Sequence, residues 1–258
     1  MERRDFIQKS ILTTAAMTGV GVTSVNAQGN SKNKEVYEFR VYRMRRNLNA
    51  LDNYFSKALI PALNKAGVKN VGVFRETGLK EPATIYMLIP YASFEDLAKV
   101  TRALKDDKDF AQASSEYSSI PADQAIYERF DSSILLAFDG FAKMVVPPKT
   151  KRLFELRIYE GYSEDAVRRK VKMFNEGEID IFKDVNLPAV FYSENITGVD
   201  LPCLTYMAAY ESMEERDRVW KAFFVHPDWQ RMSKLPEYAN TVSKVRRMFL
   251  EPMSSSQV

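Results

Sequence analysis

The sequence is poor in the residues that most often carry enzyme chemistry. Its single cysteine, Cys203, excludes an intramolecular disulfide and any multi-cysteine zinc or iron–sulfur site. Its single histidine, His226, excludes a histidine-rich metal site and a mechanism that needs two histidines. The ten glycines form no P-loop, Gly-x-Gly-x-x-Gly or Gly-x-Ser-x-Gly motif. Little of the usual catalytic chemistry is therefore open to this chain.

Long apolar runs and blocks of one charge are also missing. No run of about 18 apolar residues occurs, so the sequence predicts no ordinary membrane span. The 37 Lys and Arg residues are interspersed with 34 Asp and Glu residues, which argues against a nucleic-acid surface. The basic cluster at residues 43–46 is interpreted as a solvated loop at the end of a strand.

The first 27 residues predict an export signal. Arg-Arg-Asp-Phe-Ile-Gln-Lys at residues 3–9 resembles the twin-arginine motif, an apolar stretch follows from Ser10, and Val25-Asn26-Ala27 fits a cleavage site. We therefore expect a signal peptide over residues 1–27 that is cleaved after Ala27. The mature protein would then be periplasmic or otherwise exported, with the general secretion route as the alternative to twin-arginine export.

The rest of the chain contains one pattern twice. Tyr-Glu-Phe-Arg-Val-Tyr at 37–42 returns as Phe-Glu-Leu-Arg-Ile-Tyr at 154–159, and Tyr-Met at 86–87 returns at 206–207. Similar segments in one order at nearly constant spacing predict a duplicated domain. We assign repeat 1 to residues 35–138, a linker containing Pro147-Pro148 to 139–151, and repeat 2 to 152–252.

Each repeat has the order β-α-β-β-α-β, which is typical of a ferredoxin-like antiparallel sheet with helices on one face. A capping box at Ser93 and another at Ser212 predict where the second helices begin, and Pro61 and Gly177 predict a matched kink in the first helices. One such unit leaves the other sheet face bare. The predicted fold class is therefore α+β, with two tandem ferredoxin-like repeats packed as an intramolecular pseudo-dimeric α+β barrel.

The two strand segments, the Tyr-Glu-Ser start of the second helix in repeat 2, and His-Pro-Asp-Trp at 226–229 resemble the NIPSNAP family. The resemblance extends over residues 36–251. It implies the dimeric α+β barrel fold, often with tandem domains, but no agreed biochemical activity.

The sharpest candidate binding site is a duplicated Glu-x-Arg-x-Tyr ladder. Its members are Glu38, Arg40, Tyr42, Glu155, Arg157 and Tyr159. Strand alternation is expected to point them toward the barrel interior, and Phe39, Val41, Leu156 and Ile158 toward the helices. One interpretation is a ligand pocket in which arginine holds a carboxylate, carbonyl or phosphate. The simpler interpretation is a Glu–Arg network that satisfies itself across the seam between the repeats.

We expect the protein to bind a small, partly apolar molecule in an inter-repeat cavity, without catalysis, cofactor or metal. The alternative is a barrel enzyme of oxygenase or isomerase type, cofactor-free or haem-dependent, that acts through His226 and the Arg/Tyr ladder. His226 is favoured as a helix cap or a packing partner of Trp229, and Cys203 as an inert buried thiol. The expected partners exclude nucleic acid, the mature chain has no integral membrane span, and homo-oligomerisation is left open.

Overall fold

The computed structural model describes residues 34–78 and 81–258. The predicted export signal and its cleavage site lie outside the described residues.

Both repeats contain the predicted elements, each with short additional helices before its last strand. Repeat 1 consists of β1 (Val36–Met44), α1 (Leu48–Tyr54), α2 (Ile60–Lys65), β2 (Gly72–Glu76), β3 (Thr84–Tyr91), α3 (Phe94–Asp106), α4 (Lys108–Ala113), α5 (Ser115–Ser118) and β4 (Tyr127–Ala137). Repeat 2 consists of β5 (Leu153–Glu160), α6 (Glu164–Met173), α7 (Ile179–Asp184), β6 (Ala189–Thr197), β7 (Cys203–Tyr210), α8 (Met213–Val225), α9 (Pro227–Met232) and β8 (Lys244–Pro252).

The eight strands form one closed antiparallel barrel in the order β1-β3-β2-β8-β5-β7-β6-β4. Each repeat contributes a four-stranded sheet with the ferredoxin-like strand order. The sheets are joined at both edges, because β2 pairs with β8 and β4 pairs with β6. Each repeat therefore covers the edge strands of the other, which would otherwise expose unpaired backbone groups. The predicted tandem repeats and pseudo-dimeric barrel are confirmed.

The core is divided by the barrel wall. Residues of both repeats, including Tyr37, Phe39, Phe154 and Leu156, pack together inside the barrel. Outside the wall, each repeat has its own apolar layer between sheet and helices, centred on Phe55 in repeat 1 and on Phe174, 119 residues later, in repeat 2. None of the helices in the described ranges is long and apolar enough to cross a membrane.

Local signals in the two repeats match closely. The Ser93 hydroxyl accepts a hydrogen bond from the Asp96 amide, and the Ser212 hydroxyl accepts one from the Glu215 amide, as the capping boxes predict. The predicted interruption of the first helix is a π-helical turn in both repeats, at Phe55–Leu59 and at Phe174–Glu178.

The register corrects one detail of the internal alignment. Arg40 lies opposite Met87 in the β1–β3 pair, whereas Arg157 lies opposite Tyr206 in the β5–β7 pair. Met87, rather than Tyr86, is thus the counterpart of Tyr206. Because a shift of one residue moves a strand side chain to the other face, Tyr86 lies inside the barrel and Tyr206 lies in the helix layer.

Candidate functional site

The Glu-x-Arg-x-Tyr ladders face the helices, which is opposite to the sequence prediction. Tyr42 packs edge-on against Phe55, with ring centroids 5.5 Å apart, and the Arg157 guanidinium lies 3.8 Å from the ring centroid of Trp220 in α8. Phe39 and Leu156 instead belong to the interior of the barrel. The prediction was wrong because it placed the apolar side chains under the helices, whereas the barrel interior is a core shared by both repeats.

Repeat 1 closes its ladder within one strand. Arg40 Nε and Nη2 donate to the two oxygens of Glu38, at 2.6 and 3.0 Å, so that the pair is bidentate. Ser132 and Tyr91 donate to the same carboxylate, at 2.9 and 3.3 Å. The Glu–Arg pair forms within the repeat, and not across the seam between repeats as the network interpretation proposed.

Repeat 2 buries its ladder more deeply. Glu155 accepts hydrogen bonds from Arg157 Nε at 2.8 Å, from Arg216 Nε and Nη2 at 3.0 Å each, and from Trp220 Nε1 at 3.0 Å. Burial alone would raise the pKa of Glu155, but the hydrogen bonds from Arg216 and Arg157 hold it below its usual value. Repeat 1 has Leu97 and Thr101 at the positions of Arg216 and Trp220. The six ladder residues form closed networks in the helix layers, and they are absent from the lining of the cavity described next.

A cavity of about 480 Å³ opens at one end of the barrel, in the space between the repeats. Its apolar wall comes from both repeats and consists of Phe39, Val41, Tyr86, Ile158, Val199 and Met248. Away from the cavity the barrel interior is filled, for example by the ring pair of Phe74 and Phe154, whose centroids are 4.8 Å apart. The volume lies within the range of small-molecule sites. We call this space the barrel-mouth cavity.

The rim of the barrel-mouth cavity is polar. Thr84, Ser133, Asn195 and Thr205 supply neutral hydrogen-bonding groups, and the Thr205 hydroxyl donates to the Asn195 side-chain oxygen at 2.8 Å. Tyr86 donates its hydroxyl proton to Glu76 at 2.9 Å, and burial raises the pKa of this phenol. An apolar wall with a few convergent polar groups is typical of a ligand site.

Two arginines, each paired with carboxylates, flank the cavity. Arg43 donates to both oxygens of Asp131, and the longer of the two bonds, from Nη2, is 3.3 Å. On the side of repeat 2, Arg246 Nε lies 2.7 Å from Glu160 Oε1, and Arg246 Nη1 lies 3.0 Å from Asp200 Oδ2. The basic cluster at 43–46 is therefore not a simple solvated loop, since its first member lines the cavity.

The two ion pairs occupy equivalent positions with their charges exchanged. The β1–β4 register places Val41 opposite Asp131, and the β5–β8 register places Ile158, the counterpart of Val41, opposite Arg246. Arg43 and Glu160 then follow two residues later on their strands. One repeat has its cation on the first strand and its anion on the last, and the other repeat has the reverse.

The β6–β7 turn forms one wall of the cavity. Gly198, with φ of 141°, lies so close to β4 that a Cβ there would fall 2.1 Å from Ser133 Oγ, which requires glycine at this position. Val199 and Asp200 follow in the lining, and Asp200 ties the turn to β8 through Arg246.

His226 lies away from this cavity, at the junction of α8 and α9. Its Nδ1 accepts a hydrogen bond from the Asp228 amide at 3.3 Å and caps α9, which confirms the predicted capping role. Its Nε2 lies 3.8 Å from Asp184 Oδ2. A haem ligand would have to leave the cap and face an apolar slot, and His226 is absent from the lining of the barrel-mouth cavity. In the described structure His226 therefore serves as a helix cap and does not face the barrel-mouth cavity.

Cys203 is buried as predicted, and burial raises the pKa of its thiol to about 11. Among the residues that the structure describes, no group of three or more His, Cys, Asp or Glu side chains is arranged to hold a metal ion.

The fold and the inter-repeat cavity define a single-chain pseudo-dimeric α+β barrel. The NIPSNAP family profile matches the chain twice, at residues 37–138 and 154–257, and the chain belongs to the NIPSNAP family. Among curated proteins, none matches this chain.

Solved structures share the architecture at low sequence identity. A protein of Fusobacterium nucleatum, provisionally described as a monooxygenase, is similar with a TM-score of 0.58 and 11% identity over 86% of this chain and 93% of that one. A protein of Lactobacillus acidophilus with the same description has a TM-score of 0.53 and 10% identity over 85% and 94%. An uncharacterized NIPSNAP-like domain protein of Burkholderia xenovorans is 24% identical over 42% of this chain and 91% of its own, with a TM-score of 0.38. The first two similarities are similarities of fold.

Asp131, Asp200 and Arg246 are site residues that the sequence did not predict. Arg43 had a usable signal, because it continues the alternation of Phe39 and Val41 on one strand face. Asp131 and Arg246 lie on the last strands of their repeats and Asp200 lies in the β6–β7 turn, all far in sequence from the first strands.

Proposed function

We propose that this protein binds a small, partly apolar molecule in the barrel-mouth cavity, without chemical conversion. The observation that carries the proposal is the uneven filling of the barrel interior. One part is packed with aromatic and aliphatic side chains, and the other is a cavity of about 480 Å³ with an apolar wall and a polar rim. A packed core leaves few voids larger than a water molecule, so a space of this size and polarity is typical of a ligand site.

The geometry also supports a site that depends on both repeats. Phe39, Val41 and Tyr86 come from repeat 1, and Ile158 and Met248 from repeat 2. The ladder residues form hydrogen bonds within the helix layers, and His226 caps α9. We therefore assign ligand binding to the barrel-mouth cavity and not to the ladder residues.

We also propose that the chain is exported before it binds its ligand. The arginine pair, apolar stretch and Ala27 cleavage site of the sequence support this proposal. An exported binding protein would meet molecules of the periplasm or the medium.

The proposed binding is tested with three naphthalene probes that differ only in their substituent: 1-naphthol, 1-naphthoate and 1-naphthylmethylammonium. Isothermal titration of the protein should give saturable binding at one site for at least one probe. Val199→Trp places a large side chain from the turn into the cavity and should abolish that binding. Val145→Trp is the matched control, because Val145 is also exposed but is absent from the lining. Lack of binding by all three probes, or equal binding in both variants, would refute the proposed function.

A further inference from the structure

Both guanidinium groups at the barrel-mouth cavity are already held by carboxylates of the protein. Arg43 makes two hydrogen bonds to Asp131, in the fork geometry that an arginine would otherwise offer to a ligand carboxylate. Arg246 Nε lies 2.7 Å from Glu160 Oε1 as an ion pair without hydrogen-bond geometry, and Arg246 Nη1 lies 3.0 Å from Asp200 Oδ2. An anionic ligand would therefore have to displace a side chain that the fold holds in place.

The charge balance at the rim also disfavours an anion. Arg43 and Arg246 face three carboxylates, those of Asp131, Glu160 and Asp200. A further cation, Lys244, has its Nζ 3.6 Å from Glu160, and its side chain is mostly exposed. Among the residues that the structure describes, the rim thus holds no excess of positive charge, and a buried charge without a partner is costly.

The remaining polar groups suit an uncharged ligand. Hydroxyls of Thr84 and Ser133 and the amide of Asn195 can each donate or accept a hydrogen bond, so they match alcohols, phenols, ketones and amides. The rings of Phe39 and Tyr86 lie nearly parallel with centroids 6.1 Å apart, and Met248 lies on the same wall. Aromatic rings and a thioether favour a flat apolar body.

We propose that the barrel-mouth cavity selects uncharged ring compounds with one or two hydrogen-bonding groups, and rejects carboxylates of the same shape. The exchanged ion pairs Arg43–Asp131 and Arg246–Glu160 are the selectivity device, because each repeat neutralises its own arginine. This inference rests on the proposed function and narrows it to a chemical class. Selectivity comes as much from the pairing of Arg43 and Arg246 with carboxylates as from the apolar wall.

The three naphthalene probes test the proposal at pH 7, where 1-naphthol is neutral and 1-naphthoate is an anion. We expect 1-naphthol to bind at least about tenfold more tightly than either charged probe. A tenfold difference in affinity corresponds to about 1.4 kcal/mol of binding free energy. Asp131→Asn should free the Arg43 guanidinium, raise the affinity for 1-naphthoate and so lower the ratio of 1-naphthol to 1-naphthoate affinity. Asp200→Asn should do the same at Arg246, more weakly, because Glu160 remains.

The control variant is Asp180→Asn, which removes an exposed carboxylate from the Asp180–Lys183 ion pair outside the lining. It should leave all three affinities unchanged. Circular dichroism of each variant verifies that the fold is intact, and Asp131 and Asp200 are both exposed enough to be replaced on the surface.

The outcomes distinguish a failure of the selectivity proposal from a failure of the proposed ligand binding. If 1-naphthoate or the ammonium probe binds the unaltered protein as tightly as 1-naphthol, the selectivity proposal is overturned and the proposed function stands. If the ratio of 1-naphthol to 1-naphthoate affinity is the same in both Asn variants as in the unaltered protein, the ion pairs are not its cause and the proposal is also overturned. If no probe binds, the proposed function itself fails.

Discussion

The Lys170 ammonium lies 2.6 Å from the Glu178 carboxylate, with both side chains buried in the helix layer of repeat 2. The π-helical turns align the repeats here, and repeat 1 has Leu51 and Leu59 at the same positions, both buried. One repeat therefore packs this layer with two leucines where the other uses an ion pair. The pair is not required by the fold, and the apolar repeat shows which side chains would replace it.

This relationship predicts how three variants of repeat 2 will behave. Lys170→Leu alone leaves Glu178 as a buried charge without its partner and should lower the free energy of unfolding by about 3–5 kcal/mol, as should Glu178→Leu. The double variant Lys170→Leu/Glu178→Leu should be close to the unaltered protein or more stable, because apolar side chains of similar volume often replace a buried pair without loss. Urea unfolding measures all three. A double variant as unstable as the single ones would show that the pair itself stabilises the fold.

A second prediction concerns the unpartnered hydroxyl of Tyr192. Its oxygen is buried and makes no hydrogen bond among the described residues, whereas Tyr206 shares a 2.8 Å hydrogen bond with Tyr159. Tyr192→Phe should therefore be neutral or stabilising by up to about 1–3 kcal/mol, and Tyr206→Phe should cost about 1 kcal/mol. The two variants remove the same atom from the same layer, so the difference between their unfolding midpoints reports the hydrogen bonds of Tyr206, which also accepts a longer one from Arg157 Nη1 at 3.4 Å. A larger loss for Tyr192→Phe would contradict the structure.

The acid stability should depend on Glu155. Arg216 and Arg157 hold the pKa of this carboxyl below its usual value of about 4.5, so the ionised form is favoured in the folded state. Its contribution to stability is therefore present above about pH 5 and lost as the pH falls through the folded-state pKa. Unfolding measured between pH 3 and pH 7 should show a large gap between the unaltered protein and Glu155→Gln at neutral pH, narrowing in acid. Glu116→Gln, at an exposed site, is the control and should show no such narrowing.

His226 should behave as a helix cap. His226→Asn keeps a side-chain acceptor for the Asp228 amide and should leave stability nearly unchanged, whereas His226→Ala should cost about 1 kcal/mol. Neither variant should change the affinity for the naphthalene probes. Thermal unfolding and the titrations check both points, and loss of probe binding in His226→Asn would argue for a role at the ligand site.

The export proposal has a direct test. Protein recovered from the periplasm of its own cells should begin at Gln28 by mass spectrometry of the intact chain. Arg3→Lys/Arg4→Lys should prevent twin-arginine export while leaving the folded protein in the cell. A periplasmic protein that still begins at Met1 would rule out the predicted cleavage, and unchanged export of the double variant would favour the general secretion route.

Much of the fold could be predicted because its signals are local and repeated. The strand segment at 37–42 lies within the strand Val36–Met44, and the caps at Ser93 and Ser212 begin their helices as expected. The pseudo-dimeric barrel could also be predicted from the two copies of one pattern. A single copy leaves one face of its sheet uncovered, and the second copy can cover it.

The inward face of the first strands could not be predicted, because both faces are buried. Alternation separates Phe39 and Val41 from Glu38 and Arg40, but it does not say which set enters the barrel. The charged set lies under the helices, where Arg216 and Trp220 of α8 complete its hydrogen bonds in repeat 2. The cavity could not be predicted without knowing which set faces inward. Its lining residues Asp131 and Arg246 also lie about 90 residues along the chain from the strands that they pair with.

A crystal structure of the protein grown with saturating 1-naphthol would show directly whether the barrel-mouth cavity is the ligand site. We predict electron density for the ring system in the barrel-mouth cavity, against Phe39, Tyr86 and Met248, with the hydroxyl on the polar rim and both ion pairs intact. An empty cavity, with the probe bound elsewhere or absent, would contradict the account.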